Sequence, residues 1–195
     1  MGSTMQKIRD VIRESIATKE RLLQDERLLN LVAIVAQEMG NAFKADKKVL
    51  LCGNGGSAAD AQHISAELSG RFYTDRDPLF AEALHVNTSY ITATANDYHY
   101  EEIYARLVKA KGRKGDILIG ISTSGNSKNV VKALELANTV GMITVGLTGS
   151  TGGKMKEVCR YLLNIPSDDT PRIQESHIMV GHILCELVEA ELFGQ

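Results

Sequence analysis

Two glycine- and hydroxyl-rich segments constrain this chain more than anything else in it. Cys52-Gly53-Asn54-Gly55-Gly56-Ser57 and Ile121-Ser122-Thr123-Ser124-Gly125-Asn126-Ser127 each follow a short apolar run, and each leads into a helical pattern. Glycines let a backbone approach a ligand closely, the helix that follows offers unpaired N–H groups with a partial positive charge, and the hydroxyls add further donors. Such segments make anion cradles, with phosphate as the expected guest. Neither holds a lysine before Lys128, so neutral donors orient the ligand rather than neutralise it. That suits a sugar phosphate better than a nucleoside triphosphate.

The surroundings of the cradles predict a parallel sheet. Apolar runs at 49–52, 81–86, 117–121, 143–147 and 161–165 alternate with helical stretches, the rhythm of repeated strand–helix units. Ligands of such sheets bind beyond the carboxyl ends of the strands, where both cradles fall. Ahead of the sheet, Ile8, Val11, Ile12, Ser15 and Ile16, then Leu28, Leu31, Val32, Ile34, Val35 and Met39, recur at helical spacing. They predict a helical hairpin over 1–45, with an α/β core and closing helix over 46–195. Thr170-Pro171 opens the closing helix, with Thr170 read as N-cap and Pro171 as first helical residue, and the apolar spacing runs to Phe193. No linker divides the chain, so one α/β domain over 1–195 is expected.

Composition removes several function classes. With 22 basic against 24 acidic residues and no basic tract, no nucleic-acid or anionic-membrane surface is expected. No apolar stretch approaches the roughly 20 residues of a membrane span, and no secretory h-region is visible, so a cytoplasmic protein is expected. Gly2-Ser3-Thr4 between two methionines reads as an addition, with Met5 as the natural start. Cys52, Cys159 and Cys185 are widely spaced and form no CxxC pair, and read as buried free thiols. Gly53, Gly55 and Ala58 also satisfy a dinucleotide fingerprint. That fingerprint needs an acidic residue at the end of the second strand, where Asn87-Thr88 stands instead. No P-loop motif occurs.

A second group of residues points to a metal. His63 and Glu67 lie four apart on the helix that the first cradle opens, and so share a face. The closing helix carries Arg172-Ile173-Gln174-Glu175, His177 and His182 within an otherwise apolar stretch. If the two helices meet, His63, Glu67, Gln174 and one histidine make a mixed nitrogen–oxygen donor set for a divalent ion. Spacing leaves the histidine open: His177 is one turn from Gln174, and His182 is about two turns away, rotated by roughly 80°.

Gly53-Asn54-Gly55-Gly56-Ser57, Asp60-Ala61-Gln62-His63, Glu67-Leu68-Ser69-Gly70-Arg71, Asn96-Asp97, Ser122-Thr123-Ser124-Gly125-Asn126-Ser127 and Arg172-Ile173-Gln174-Glu175 with His177 and His182 together resemble the phosphoheptose isomerase family, over nearly the whole chain. That family belongs to the sugar isomerase (SIS) domain superfamily. The resemblance implies a five-stranded parallel sheet between helices, flavodoxin-like, and a homotetramer with active sites between subunits. It implies substrate contacts from Asn54, Gly55, Gly56, Ser57, Ser122, Thr123, Ser124 and Ser127, with Arg71, Asn96, Asp97 and Gln174 nearby. It also selects His182 over His177, with His63, Glu67, Gln174 and His182 holding one Zn2+ per subunit and Glu67 and His182 as the acid–base pair. The sole departure is at Val86-Asn87-Thr88-Ser89, where the family usually carries an acidic residue before its serine.

The implied reaction is an aldose–ketose isomerisation of sedoheptulose 7-phosphate to D-glycero-D-manno-heptose 7-phosphate through an enediol, at the start of nucleotide-activated heptose biosynthesis and feeding lipopolysaccharide or other heptose glycans. Within the superfamily the alternatives are an assembly factor that binds the replication initiator, a sugar-phosphate sensor and an amino-sugar isomerase. The assembly factor keeps the cradles but lacks the acid–base pair.

Overall fold

The structure, a computed structural model, describes residues 2–194. Helices α1 (Gly2–Leu23) and α2 (Glu26–Lys44) form the hairpin. They are followed by β1 (Val49–Gly53), α3 (Gly56–Ser69), β2 (Ala81–Ala83), α4 (Thr88–Asp97), a 3-10 turn at Tyr100–Glu102 and α5 (Ile103–Lys111). The chain continues through β3 (Ile117–Ile121), α6 (Lys128–Val140), β4 (Ile143–Thr148), α7 (Met155–Val158) and β5 (Tyr161–Asn164) to α8 (Thr170–Phe193). All five strands are parallel, in the order β2-β1-β3-β4-β5. This is the flavodoxin-like order, whose direction of winding reverses between β1 and β3.

Both faces of the sheet are covered, which is why its strands read as continuous apolar runs rather than alternating ones. Val49 and Leu51 of β1 pack with Ile117, Ile119 and Val145 toward α2, α3 and α8, while Leu50, Cys52 and Leu118 face α5 and α6. Helix α1 lies outside this sandwich and is held to α8 by polar contacts. Ser15 donates to Glu175 Oε2 at 2.7 Å, and the buried Arg172 reaches the Val11 carbonyl at 3.3 Å and pairs with Glu175. Among the described residues no helix is long and apolar enough to cross a membrane.

Two boundaries differ from the sequence expectation. The second strand ends at Ala83 rather than Val86: Leu84 N still reaches Leu51 O at 2.9 Å, but the backbone then turns at Leu84-His85, Val86 N facing Ala83 O at 3.5 Å, and Val86 is exposed. Asn87 then caps α4, accepting from Tyr90 N at 3.0 Å, the work an acidic residue could also do there. At α8 the cap position is Asp169, and Thr170 is already helical. The shift is one residue, the ordinary ambiguity of a helix end.

His177 belongs to this framework. It is fully buried, its Nε2 donates to the Thr148 carbonyl at the end of β4 at 3.1 Å, and its Nδ1 has no partner. Burial disfavours the charged ring and pushes its pKa from 6.5 down to about 4, against a smaller opposing effect of the Thr148 bond. The unfolded chain therefore takes up a proton that the folded one refuses: the stability this ring supports is whole above pH 6.5 and is lost as pH falls toward 4. We expect the unfolding free energy to decline over that window by up to about 1.4 kcal/mol per pH unit from this group. His177→Gln should flatten the decline, as urea titrations at successive pH values will measure, and parallel pH profiles for variant and wild type would contradict the assignment.

Candidate functional site

Both cradles form at the carboxyl ends of the two strands that flank the winding reversal. At the first, Gly55 takes φ +56 and N-caps α3, a conformation that favours glycine. At the second, Gly125 takes φ +65 and lies so close to the Gly152 carbonyl that a Cβ would sit 2.1 Å from it. The turn gathers hydroxyls: Ser122 Oγ lies 2.9 Å from Ser127 Oγ and 3.5 Å from Ser124 Oγ, ahead of α6. Lys128 turns instead to Glu101 on the surface, at 2.8 Å, which leaves this cradle to neutral donors as its sequence suggested.

The two cradles are joined by a residue that the sequence did not single out. Asn129, buried at the start of α6, exchanges two amide hydrogen bonds with Asn54, both 2.9 Å, and Tyr100 donates to Asn54 Oδ1 at 3.0 Å. Tyr104, buried beneath, donates to the Gly53 carbonyl. Asn54 is thus committed to the framework through its side chain. One cavity of about 250 Å³ opens beside Gly53, Asn54 and Gly55 toward His85 and Thr88, and another of about 270 Å³ opens beside Thr123 and Ser124 toward Ser150 and Asp168.

Helix α8 brings its polar residues to the first cradle. Gln174 lies against Gly56, its Nε2 2.4 Å from where a Cβ would be, so a side chain there would displace the Gln174 amide. Two turns on, Gly181 allows α8 to press against Ile64 of α3, where a Cβ would fall 2.5 Å from Ile64 Cδ1. That contact sets His182 beside His63. The two Nε2 atoms are 3.3 Å apart, and His63 Nε2 is 3.0 Å from Glu67 Oε1. The three donor atoms fall within 4.8 Å of one another. The 3.0 and 3.3 Å separations are also close to the edge, about 3.3 Å, of a tetrahedron with ligands about 2.0–2.1 Å from its centre, so the three groups could hold a metal ion. His182, not His177, is the histidine at this point.

The remaining expected residues are scattered. Arg71 is exposed in the turn after α3, and Asn96 donates to Asp97 at 2.9 Å at the exposed end of α4. Among the described residues no hydrogen bond joins these three to either cradle. Asp60, one turn before His63, keeps Oδ2 buried without a partner, and burial raises its carboxyl to about 6 despite the opposing charge of His63. Cys52 and Cys185 are buried and Cys159 partly so, and burial pushes the Cys159 and Cys185 thiols up to about 12. All three are free thiols.

Comparison with known proteins places these features. The SIS domain family matches residues 10–149. Phosphoheptose isomerase 2 of Campylobacter jejuni is 53% identical over 182 residues, 93% of this chain and 90% of that protein. The phosphoheptose isomerase of Aneurinibacillus thermoaerophilus is 53% identical over 186 residues, 95% of this chain and 94% of that protein. The solved structure of phosphoheptose isomerase from Neisseria gonorrhoeae superposes with a TM-score of 0.90 at 39% identity, covering 96% of this chain and 99% of that one.

The α3–α8 contact gives a direct expectation. Gly181→Val forces a branched side chain against a buried Ile64, and overpacking of this kind costs about 1–3 kcal/mol. Urea unfolding should register that loss, and unchanged stability would contradict the role given to this contact.

Proposed function

Starting from a chain that belongs to the SIS domain family, among its phosphoheptose isomerases, we propose that the two cradles and the His63–Glu67–His182 cluster interconvert sedoheptulose 7-phosphate and D-glycero-D-manno-heptose 7-phosphate. The observation that carries this is the convergence of His63 and Glu67, on the helix that the first cradle opens, with His182 of α8. In this reading Ser122, Thr123, Ser124 and Ser127 donate to the phosphate, and Asn54, Gly55, Gly56 and Ser57 hold the sugar from the other side of the winding reversal. Arg71, Asn96, Asp97 and Gln174 complete the pocket.

Aldose–ketose isomerisation moves a proton between C1 and C2 through an enediol, so a base must take a carbon-bound proton while charge grows on the neighbouring oxygens. Glu67 is that base: Oε1 faces His63, and the second carboxylate oxygen serves the substrate. His182 is its acid–base partner at the sugar oxygens. His63, Glu67, His182 and Gln174 would hold one Zn2+ per subunit, supplying Lewis-acid stabilisation of negative charge on oxygen. Asn129 holds Asn54 still, and Gly56 keeps Gln174 close to the cradle.

The assembly we infer is a homotetramer with sites between subunits, working in the cytoplasm. Met5, Ile8, Ile12 and Ile16 form an apolar stripe along α1, 47–54% exposed, and the His63 side chain is 47% exposed at the site. A second copy of the chain would cover both. Ile8→Glu with Ile12→Glu should yield smaller species in light scattering; an unchanged mass for variant and wild type would count against the stripe as the interface.

Purified protein should turn over sedoheptulose 7-phosphate and leave fructose 6-phosphate largely untouched, and no product from the heptulose would overturn the reading. Glu67→Gln and His182→Ala should each lower turnover by roughly 100-fold or more while remaining folded. Ser122→Ala or Ser124→Ala should weaken the phosphorylated substrate by roughly tenfold to a hundredfold and barely affect an unphosphorylated heptulose. Equal losses for both sugars would show that this loop does not bind phosphate.

A further inference from the structure

Behind the His63–Glu67–His182 cluster lies an ion pair that the reaction itself does not use. Arg76 and Glu189 are almost fully buried, with side chains 3% and 5% exposed, and Nε meets Oε2 at 3.1 Å. Neither group is left with idle capacity. Glu189 also accepts from the amides of Phe72 at 3.2 Å, Tyr73 at 2.8 Å and Thr74 at 2.9 Å. Burial alone would raise this carboxyl, but the three amides and Arg76 outweigh it and hold it at about 2. Arg76 Nη1 donates to the carbonyls of Leu68, Gly70 and Asp77, and Nη2 donates to the carbonyl of Glu67 at 2.9 Å.

Two of those partners belong to the end of α3. A guanidinium over the last carbonyls of a helix satisfies acceptors that have no partner within it and complements their partial negative charge. Here the capped residue Glu67 is the one whose carboxylate meets His63. On the other side, Glu189 stands seven residues after His182, two turns along the same face of α8. The turn that Glu189 grips carries Phe72, whose ring packs 5.8 Å from the His182 ring at an interplanar angle of 39°. One buried pair therefore touches the backbone of Glu67, belongs in part to the helix of His182, and holds the backbone of Phe72, whose ring backs His182. Stability gives little reason for burying such a pair, since well-packed apolar residues often do as well. Direction is what it adds.

We propose that Arg76 and Glu189 are positioning residues for the metal cluster, fixing Glu67 through the end of α3 and His182 through Phe72, and so setting metal affinity and site geometry. This rests on the reading of His63, Glu67 and His182 as metal ligands. Outer groups that orient ligands are typically worth about 10–100-fold in metal affinity or activity, and Arg76→Lys separates this role from simple charge pairing. Lysine can still meet Glu189, but a single ammonium cannot also span the carbonyls of Glu67 and Leu68.

The test titrates cobalt(II) into metal-free full-length protein and reads both affinity and visible absorption bands, which report ligand geometry. Wild type must bind cobalt and His63→Ala must bind it more weakly; if the two bind alike, the metal reading itself fails. Arg76→Lys and Glu189→Gln should bind cobalt about 10–100-fold more weakly with altered bands, while cooperative melting shows them folded. Phe72→Leu leaves the ion pair intact and should alter the bands through His182, which keeps the question decidable should either ion-pair variant fail to fold. Affinities within about twofold of wild type and unchanged bands in the folded variants would overturn the proposal, as would an unchanged Phe72→Leu spectrum if neither ion-pair variant folds.

Discussion

The close approach of α3 and α8 is the contact on which the rest of the site depends. The parallel sheet in the order β2-β1-β3-β4-β5 sends the chain in opposite directions from β1 and β3, so α3 and α6 leave toward opposite faces and their starts flank one crevice. Chemistry needs a third element to cross the crevice, and α8 does so by lying on α3 with glycine at the point of contact. At Gly181 an added carbon would meet the buried Ile64, and at Gly56 it would displace the Gln174 amide.

Charge is used sparingly around the cradles and concentrated behind them. The hydroxyl turn and the Asn54–Asn129 amide pair are neutral and present fixed dipoles rather than charge. The strong ion pairs lie elsewhere. Arg76–Glu189 is sealed behind His63, Glu67 and His182, and the Arg172–Glu175 pair of α8 reaches α1 through the Val11 carbonyl and the Ser15 hydroxyl. Each holds one element against another instead of facing the ligand.

Much of this was legible in the sequence, because it is local. Strands buried on both faces announce themselves as apolar runs, and the cradles announce themselves as glycine and hydroxyl clusters at their ends. What failed to show was whatever depends on two distant segments meeting. Spacing on α8 could not separate His177 from His182; only the resemblance chose, and burial of His177 against Thr148 gives the physical reason. Asn129 looks like any helix-start polar residue until Asn54 is seen opposite. Arg76 and Glu189 are 113 residues apart, and nothing in either neighbourhood marks them as partners. The end of β2 differs for a simpler reason: Leu84-His85-Val86 continues the apolar pattern in sequence, but the backbone turns there, with Val86 N facing Ala83 O.

The central claim is that residues from α3 and α8 build one metal site at the mouth of the first cradle. Zinc K-edge X-ray absorption on the purified, zinc-loaded protein tests it most directly. The account requires a first shell of nitrogen and oxygen at about 2.0–2.1 Å, with the multiple-scattering signature of two imidazoles, and the loss of one imidazole in His63→Ala. Sulfur at about 2.3 Å, or a His63→Ala spectrum identical to wild type, would contradict it.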